Sequence, residues 1–179
     1  MRKRTMSCKI ITIALAAVLV LGLLPGCCRS RRTTKETEGV TIGIDVARYQ
    51  VTIVWTAVAH SDGDFAMIRG GYRGNSDGVI KEDPNGRYNL QEASKAGLPI
   101  GAYFFSTAVS EEEAKEEANW MADILDGYPI TYPVVYDCEG FREESSRQFS
   151  MTKGERTAAA LAFLEAIEAR GYEGMFYAS

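Results

Sequence analysis

"VVYDCEG", residues 134–140, joins an apolar run to two carboxylates. Val134, Val135 and Tyr136 read as a buried strand, and Asp137 and Glu139 follow on either side of Cys138. Side chains at i and i+2 share one face of a strand, roughly 6.6–7 Å apart along it. The two acids are therefore expected on one side. Cys138 is expected on the other, as a buried and unreactive thiol.

Outward from this stretch the pattern repeats. "VTIGIDV" (40–46), "FAMIRGG" (65–71), "LPIGAYFFS" (98–106), "TYPVVYDCE" (131–139) and "YEGMFYAS" (172–179) are short apolar runs without clean polar–apolar alternation. Such runs fit parallel strands buried on both faces. Helical patterns lie between them. "TIVWTAVAH" places Ile53, Val54, Ala57 and Val58 at helical spacing, and "RYNLQEASKAG" runs from Tyr88 to Ala96 and stops at Gly97. Upstream, Asp83–Pro84 reads either as a helix opening or as a loop. Ser110 with Glu113, and Thr152 with Glu155, have capping-box spacing, and Gly171 stops the last helix. Trp55 and Trp120 fall on apolar stripes, His60 at a helix end. The Glu111–Glu117 run reads as a solvated face. Strands alternating with helices predict an α/β fold with a parallel sheet, open or closed. Five strands are predicted, so a closed eight-stranded barrel would need three more.

In parallel α/β folds function gathers beyond the C-terminal ends of the strands. Those ends supply Asp45, then Arg69, then Tyr103 and Phe105, then Asp137 and Glu139. Two neighbouring carboxylates resist ionising together, so one keeps its proton to higher pH. A protonated and an ionised carboxyl side by side suit general acid chemistry on a glycosidic bond. Rim aromatics suit stacking on sugar faces. The plainer alternative, acids that cap a helix or face solvent, is common for a short motif. With His60 as the single histidine and no metal-spaced cluster, neither a metal nor a cofactor is expected.

The 179-residue chain has a formal net charge of −4. Residues 1–26 combine basic Arg2, Lys3, Arg4 and Lys9 with the uncharged run Ile10–Leu24, the pattern of a secretory signal. That run is short for a membrane span, which needs roughly 20 apolar residues. "LLPGCC" resembles the end of a bacterial lipoprotein signal, with cleavage between Gly26 and Cys27 and a lipid on Cys27. An uncleaved N-terminal anchor and ordinary secretion are the other readings, and all three export the rest. Removing the signal takes four positive charges with it and leaves −8. That balance argues against nucleic-acid binding. Residues 27–39 read as a polar tether, and 40–179 as the folded domain, expected to be monomeric. Cys138 is the one cysteine of that domain, so its core and not a disulfide must hold it.

Taken together, "GIDVARYQ", Trp55 with Val58, "FAMIRGGYRG", the Asp83–Phe105 segment ending "AGLPIGAYFF", and "PVVYDCE" resemble the glycoside hydrolase family 25 lysozymes. The resemblance runs from Ile42 to Ser179. It implies an irregular (β/α) TIM-like barrel and a muramidase that cleaves the β-1,4 bond between N-acetylmuramic acid and N-acetylglucosamine in peptidoglycan glycan strands. It implies Glu139 as the acid, with Asp137 and Asp45 in the same site. Retention of configuration with the substrate acetamido group as nucleophile would leave Asp137 to orient that group. Tyr103, Arg69 and Phe105 are the implied substrate-binding residues. Val51 stands where the family commonly has glycine, and Phe104 where histidine is frequent. A further family acid lies on a late strand, so the chain would lack about three βα units of a complete barrel. The rival expectation is a non-catalytic glycan-binding lipoprotein with a degenerate barrel.

Overall fold

The computed structural model describes residues 40–179. Its strands are β1 (Gly43–Val46), β2 (Phe65–Arg73), β3 (Ile80–Glu82), β4 (Ile100–Phe105), β5 (Ile130–Cys138) and β6 (Gly174–Ala178). Its helices are α1 (Trp55–Ala59), α2 (Gly86–Lys95), α3 (Glu111–Leu125) and α4 (Lys153–Ala169). The sheet runs in the order β1-β2-β4-β5-β6 with every neighbouring pair parallel, and β3 pairs antiparallel with β2. Among the described residues β1 and β6 are the two edges of this path, so the barrel-like sheet is not closed.

The α/β reading holds, with three corrections. Among the described residues there are six strands and not five; β3, the one not expected, is three residues long, two of them charged, and shows no periodicity. The first helix is only Trp55–Ala59, so Ile53 and Val54 lie before it. And β2 does not end at Arg69 but continues to Arg73. The signal, the tether and Cys27 lie outside the described residues. No described helix is long and apolar enough to cross a membrane.

Alternation decides what each strand buries. On β5, Val134, Tyr136 and Cys138 enter the core; on β4, Ala102 and Phe104 do; on β2, Ala66 and Ile68. They meet Met121 and Leu125 of α3 and Phe163 and Ile167 of α4. Phe104 sits edge-on to Trp120 at 5.9 Å, and Tyr136 lies 5.1 Å from Phe163. Each such large side chain contributes about 1.5–3 kcal/mol by burial. Phe104 has no exposure at all, which accounts for an aromatic hydrocarbon at that position: it faces the helices. The helix ends follow the sequence. Thr152 and Glu155 form the full capping box, and Gly97 and Gly171 end α2 and α4 with φ of 72° and 89°. At α3 the box is half made: Ser110 accepts from the Glu113 N–H, but Glu113 reaches back to the Val109 N–H.

Continuation of β2 rests on a bulge. The β2–β4 register slips between Arg69 and Gly71, so one residue, Gly70, is extra. A Cβ on Gly70 would stand 2.5 Å from the end of the Met121 side chain, which would have to move to admit it. A bulge reverses which residues share a face. After it, Gly71 pairs with Phe104 of the core face and Tyr72 with Phe105 of the other. Arg73 is thereby aimed at the helices. Its Nε donates to Glu117 Oε1 at 2.6 Å, Nη2 to Glu116 Oε2 at 2.7 Å, and Nη1 to the Gly78 carbonyl at 2.6 Å.

Glu117 corrects the expected solvated face of α3, because it is fully buried. Ser106 Oγ donates to its other oxygen at 2.6 Å. Burial outweighs both donors and pushes the Glu117 carboxyl up to about 7. A carboxyl raised from 4.5 takes up its proton on folding between about pH 4.5 and 7, and its contribution is lost as pH rises through that window. Removing one partner of a buried pair costs about 3–5 kcal/mol. Arg73→Met should therefore destabilise the full chain by about that amount at pH 8 and by clearly less at pH 5, where a protonated Glu117 no longer needs the cation. Equilibrium urea unfolding at the two pH values measures this, and equal losses at both would show that Glu117 is not what Arg73 neutralises.

Candidate active site

The strand faces turned away from the core meet over a cleft of about 780 Å³. Asp45 comes from β1, Met67 and Arg69 from β2, Tyr103 and Phe105 from β4, Val135 and Asp137 from β5, and Met175 and Tyr177 from β6, with Glu139 one residue beyond β5. Register sets the rows: Arg69 pairs with Tyr103, Tyr103 with Val135, Phe105 with Asp137 and Asp137 with Tyr177. All six site residues expected on the folded domain (Asp45, Arg69, Tyr103, Phe105, Asp137 and Glu139) thus line one cavity.

Their environments differ. Asp137 is 8% exposed, and its Oδ1 has no hydrogen-bond partner in the protein. Burial first, then the charges of Glu139 and Asp45, push its carboxyl up to about 7, against an opposing pull from Arg69. Glu139 is half-buried, past the end of the strand, and Asp45 is exposed. So the carboxyl that keeps its proton towards neutral pH in the open cleft is Asp137. Glu139, to which the resemblance gives the acid's role, is the more exposed of the two. The physical reason is position: β5 stops at Cys138, which leaves Asp137 between β4 and β6 and Glu139 in reach of water. The Tyr103 phenol is pushed up by burial and by the charge and hydrogen bond of Asp45, so it stays a donor.

Arg69 is held by Asp83, a residue weighed in the sequence only as a helix opening or a loop. Arg69 Nε donates to Asp83 Oδ2 at 2.7 Å. Nη2 makes an ion pair at 2.7 Å with the same oxygen, without hydrogen-bond alignment. Asp83 also accepts the Arg48 N–H at 3.0 Å and, through Oδ1, the Asn85 N–H at 2.9 Å. Asn85, not Asp83, is the N-cap of α2, and it makes no side-chain cap bond. Tyr49 and Tyr72 add aromatic surface, with the Arg69 guanidinium 5.3 Å and 5.4 Å from their rings. Neither tyrosine was singled out from the sequence. The Gly70–Gly71 pair inside an apolar run was the available signal for Tyr72, since glycine within a strand marks a bulge.

The segment that follows Glu139 is fixed from three sides. Asn75, on the cleft, donates to the Ser145 carbonyl at 2.7 Å and accepts from the Arg147 N–H at 2.9 Å. Arg147 grips Glu113 with both terminal nitrogens, at 3.1 and 2.8 Å, and donates to the Thr107 carbonyl at 3.1 Å. Buried Gln148 accepts from Cys138 Sγ at 3.4 Å and donates to the Ala108 carbonyl at 2.9 Å. Cys138 is thus the expected buried thiol, raised by its burial. Among the described residues no group of three or more His, Cys, Asp or Glu side chains is placed to hold a metal.

The family model of the glycosyl hydrolases of family 25 matches residues 44–179. No curated protein sequence matches the chain. Among solved structures, the modular autolysin LytC of Streptococcus pneumoniae is similar, with a TM-score of 0.64 and 22% identity over 76% of this chain and 32% of its own. It has also been solved in complex with a synthetic peptidoglycan ligand. The spore cortex lytic enzyme SleM of Clostridium perfringens has a TM-score of 0.64 and 21% identity over 75% of this chain and 42% of its own. A family 25 glycosyl hydrolase of Bacillus anthracis has a TM-score of 0.61 and 24% identity over 78% and 60%. The chain therefore spans about a third to three fifths of these proteins, and at such identities the likeness shows the fold. The family match, which covers both strand-end carboxylates of the cleft and Asp45, shows the membership: this chain belongs to the glycosyl hydrolases of family 25.

Proposed function

We propose that the chain acts as an exported peptidoglycan muramidase, hydrolysing the β-1,4 bond between N-acetylmuramic acid and N-acetylglucosamine. The observation behind this reading is the meeting of Asp45, Tyr103, Asp137 and Glu139 on one cleft of a family 25 fold. A relative solved with a peptidoglycan ligand supports the substrate class.

The division of labour follows from burial. In the open cleft the proton sits on Asp137. A glycan covering Glu139 removes its water, which favours the neutral form, while an acetamido N–H donating to Asp137 favours the ionised form. Glu139, past the end of β5, is the group we assign to the leaving glycosidic oxygen. Glu139 then protonates that oxygen as the C–O bond breaks. The acetamido oxygen attacks the anomeric carbon, and water later opens the ring with Glu139 as base. Tyr103 holds Asp45 and donates at the floor of the cleft.

Glu139→Gln keeps the shape and removes the transferable proton. General acid catalysis contributes roughly 10²–10⁴-fold. Release of muramic acid reducing ends by the full chain, assayed by mass spectrometry, should fall by at least about 100-fold. Turnover within a few-fold of wild type would take Glu139 out of the role.

Asp137→Asn isolates the buried carboxyl. A group raised from 3.8 to about 7 is protonated in the folded state across that window, so the wild type loses stability as pH rises through it. The asparagine does not titrate. The melting temperature of the variant should therefore gain on wild type between pH 4.5 and pH 8, while its kcat on peptidoglycan falls. A difference in melting temperature independent of pH would contradict the buried, protonated assignment. Glu117 titrates alike in both proteins and cancels.

We further infer export and a lipid anchor on Cys27, from the basic start, the apolar run and "PGCC". Mass spectrometry of the membrane fraction should find a mature protein that begins at diacylglyceryl-Cys27. Any other mature N-terminus would leave export without the anchor.

A further inference from the structure

Three arginines border the cleft, although the Arg73 guanidinium turns from it to the helices. Arg69 is neutralised by Asp83, and Arg73 by Glu116 and Glu117. Arg48, just after β1, has no carboxylate within ion-pair distance among the described residues. It is exposed, yet held at both ends. Its backbone N–H is bonded to Asp83, and its Nη2 donates to the Tyr49 hydroxyl at 3.1 Å. Its guanidinium carbon lies 4.9 Å from the Tyr49 ring centroid and 5.6 Å from that of Tyr72. Its remaining N–H donors have no acceptor among the described residues.

A solvated surface arginine has a free stem and loses entropy when it binds anything. This one is already placed at the mouth of the cleft by two rings and a phenol, which lowers the entropy lost on pairing with an anion. The guanidinium fork matches a carboxylate with two parallel hydrogen bonds. The surroundings argue the same way. The chain beyond the signal has a net charge of −8, and the cleft holds Asp45, Asp137 and Glu139. Such a cleft repels an anionic chain unless a local cation receives its charge.

We propose that Arg48 receives a substrate carboxylate and is the residue by which the cleft prefers muramyl glycans over neutral glycans of the same β-1,4 linkage. This rests on the muramidase reading and adds to it the residue that reads the muramyl side. The carboxylate has two sources with one chemistry: the lactyl group of a muramic acid without peptide, and the acidic residues of an attached stem peptide. Tyr49 and Tyr72 act through Arg48 by fixing its plane.

The test compares wild-type full chain with Arg48→Gln and Arg48→Lys on three soluble glycans of equal length: one with stem peptides, one stripped of them to free lactyl carboxylates, and a chitooligosaccharide. The Asp83 bond uses the Arg48 backbone N–H, so it survives both substitutions. A charge-assisted pair of this kind corresponds to about ten- to hundred-fold in affinity. In Arg48→Gln the ratio of kcat/KM for carboxylate-bearing over neutral glycan should fall by about that factor, through KM. Arg48→Lys, which keeps charge without the fork, should recover part of it. A fall only with the stripped glycan assigns the lactyl carboxylate, a fall only with the peptide-bearing one assigns the stem, and a fall with both shows that Arg48 takes a carboxylate from either source. An unchanged ratio overturns the proposal, whether all three substrates weaken together or none does. Calorimetric titration of the same glycans into Glu139→Gln, with and without Arg48→Gln, separates the two claims. If wild type releases no muramic acid ends, the muramidase reading fails, and the ratio of affinities still decides Arg48.

Discussion

The carboxylate of Asp83 is the constraint on which the cleft depends. It is out of contact with water, and it gathers groups from three places: the Arg69 guanidinium on β2, the Arg48 backbone after β1 and the Asn85 backbone at the head of α2. A buried carboxylate without such donors would be far too unfavourable to keep its charge. With them it neutralises Arg69, which would otherwise be a buried and unpaired cation beside Asp137. Burial and the charges of Glu139 and Asp45 then outweigh the pull of Arg69, and the Asp137 carboxyl is pushed up to about 7.

A second constraint is parity. Strand side chains alternate, so a sheet can separate a greasy face from a chemical face only while the count holds. Gly70 breaks the count once. Before it, Arg69 faces the cleft; after it, Tyr72 does, and Arg73 turns to the helices to meet Glu117. One strand thus serves both the cleft and the buried ion pair that holds α3 against it.

Much of this was legible in the residues. The parallel α/β order, the cap at Thr152, the glycine stops and the meeting of Asp45, Tyr103, Asp137 and Glu139 all follow from local pattern and from the rule that strand ends face one rim. What was not legible depends on contacts distant in sequence. Glu117 looks like one more acid in a solvated run until Arg73 and Ser106 arrive from other elements. Asp83 looks like a turn residue, because its partner Arg69 lies on a strand 14 residues earlier and no local pattern links the two. Which of the two strand-end carboxyls is the more buried was not legible for the same reason: Asp137 and Glu139 are alike in sequence, and only the end of β5 at Cys138 makes one of them interior.

The bracing of the segment after Glu139 has a mechanical consequence. Asn75, Arg147 and Gln148 tie it to the β2–β3 turn, to the first turn of α3 and to the strand end behind Cys138. A stretch without regular structure ordinarily opens on its own, at little free energy. This one cannot, because to swing away it must take the start of α3 with it and expose the Glu113–Arg147 pair. The wall of the cleft that holds the two carboxylates is therefore stiff.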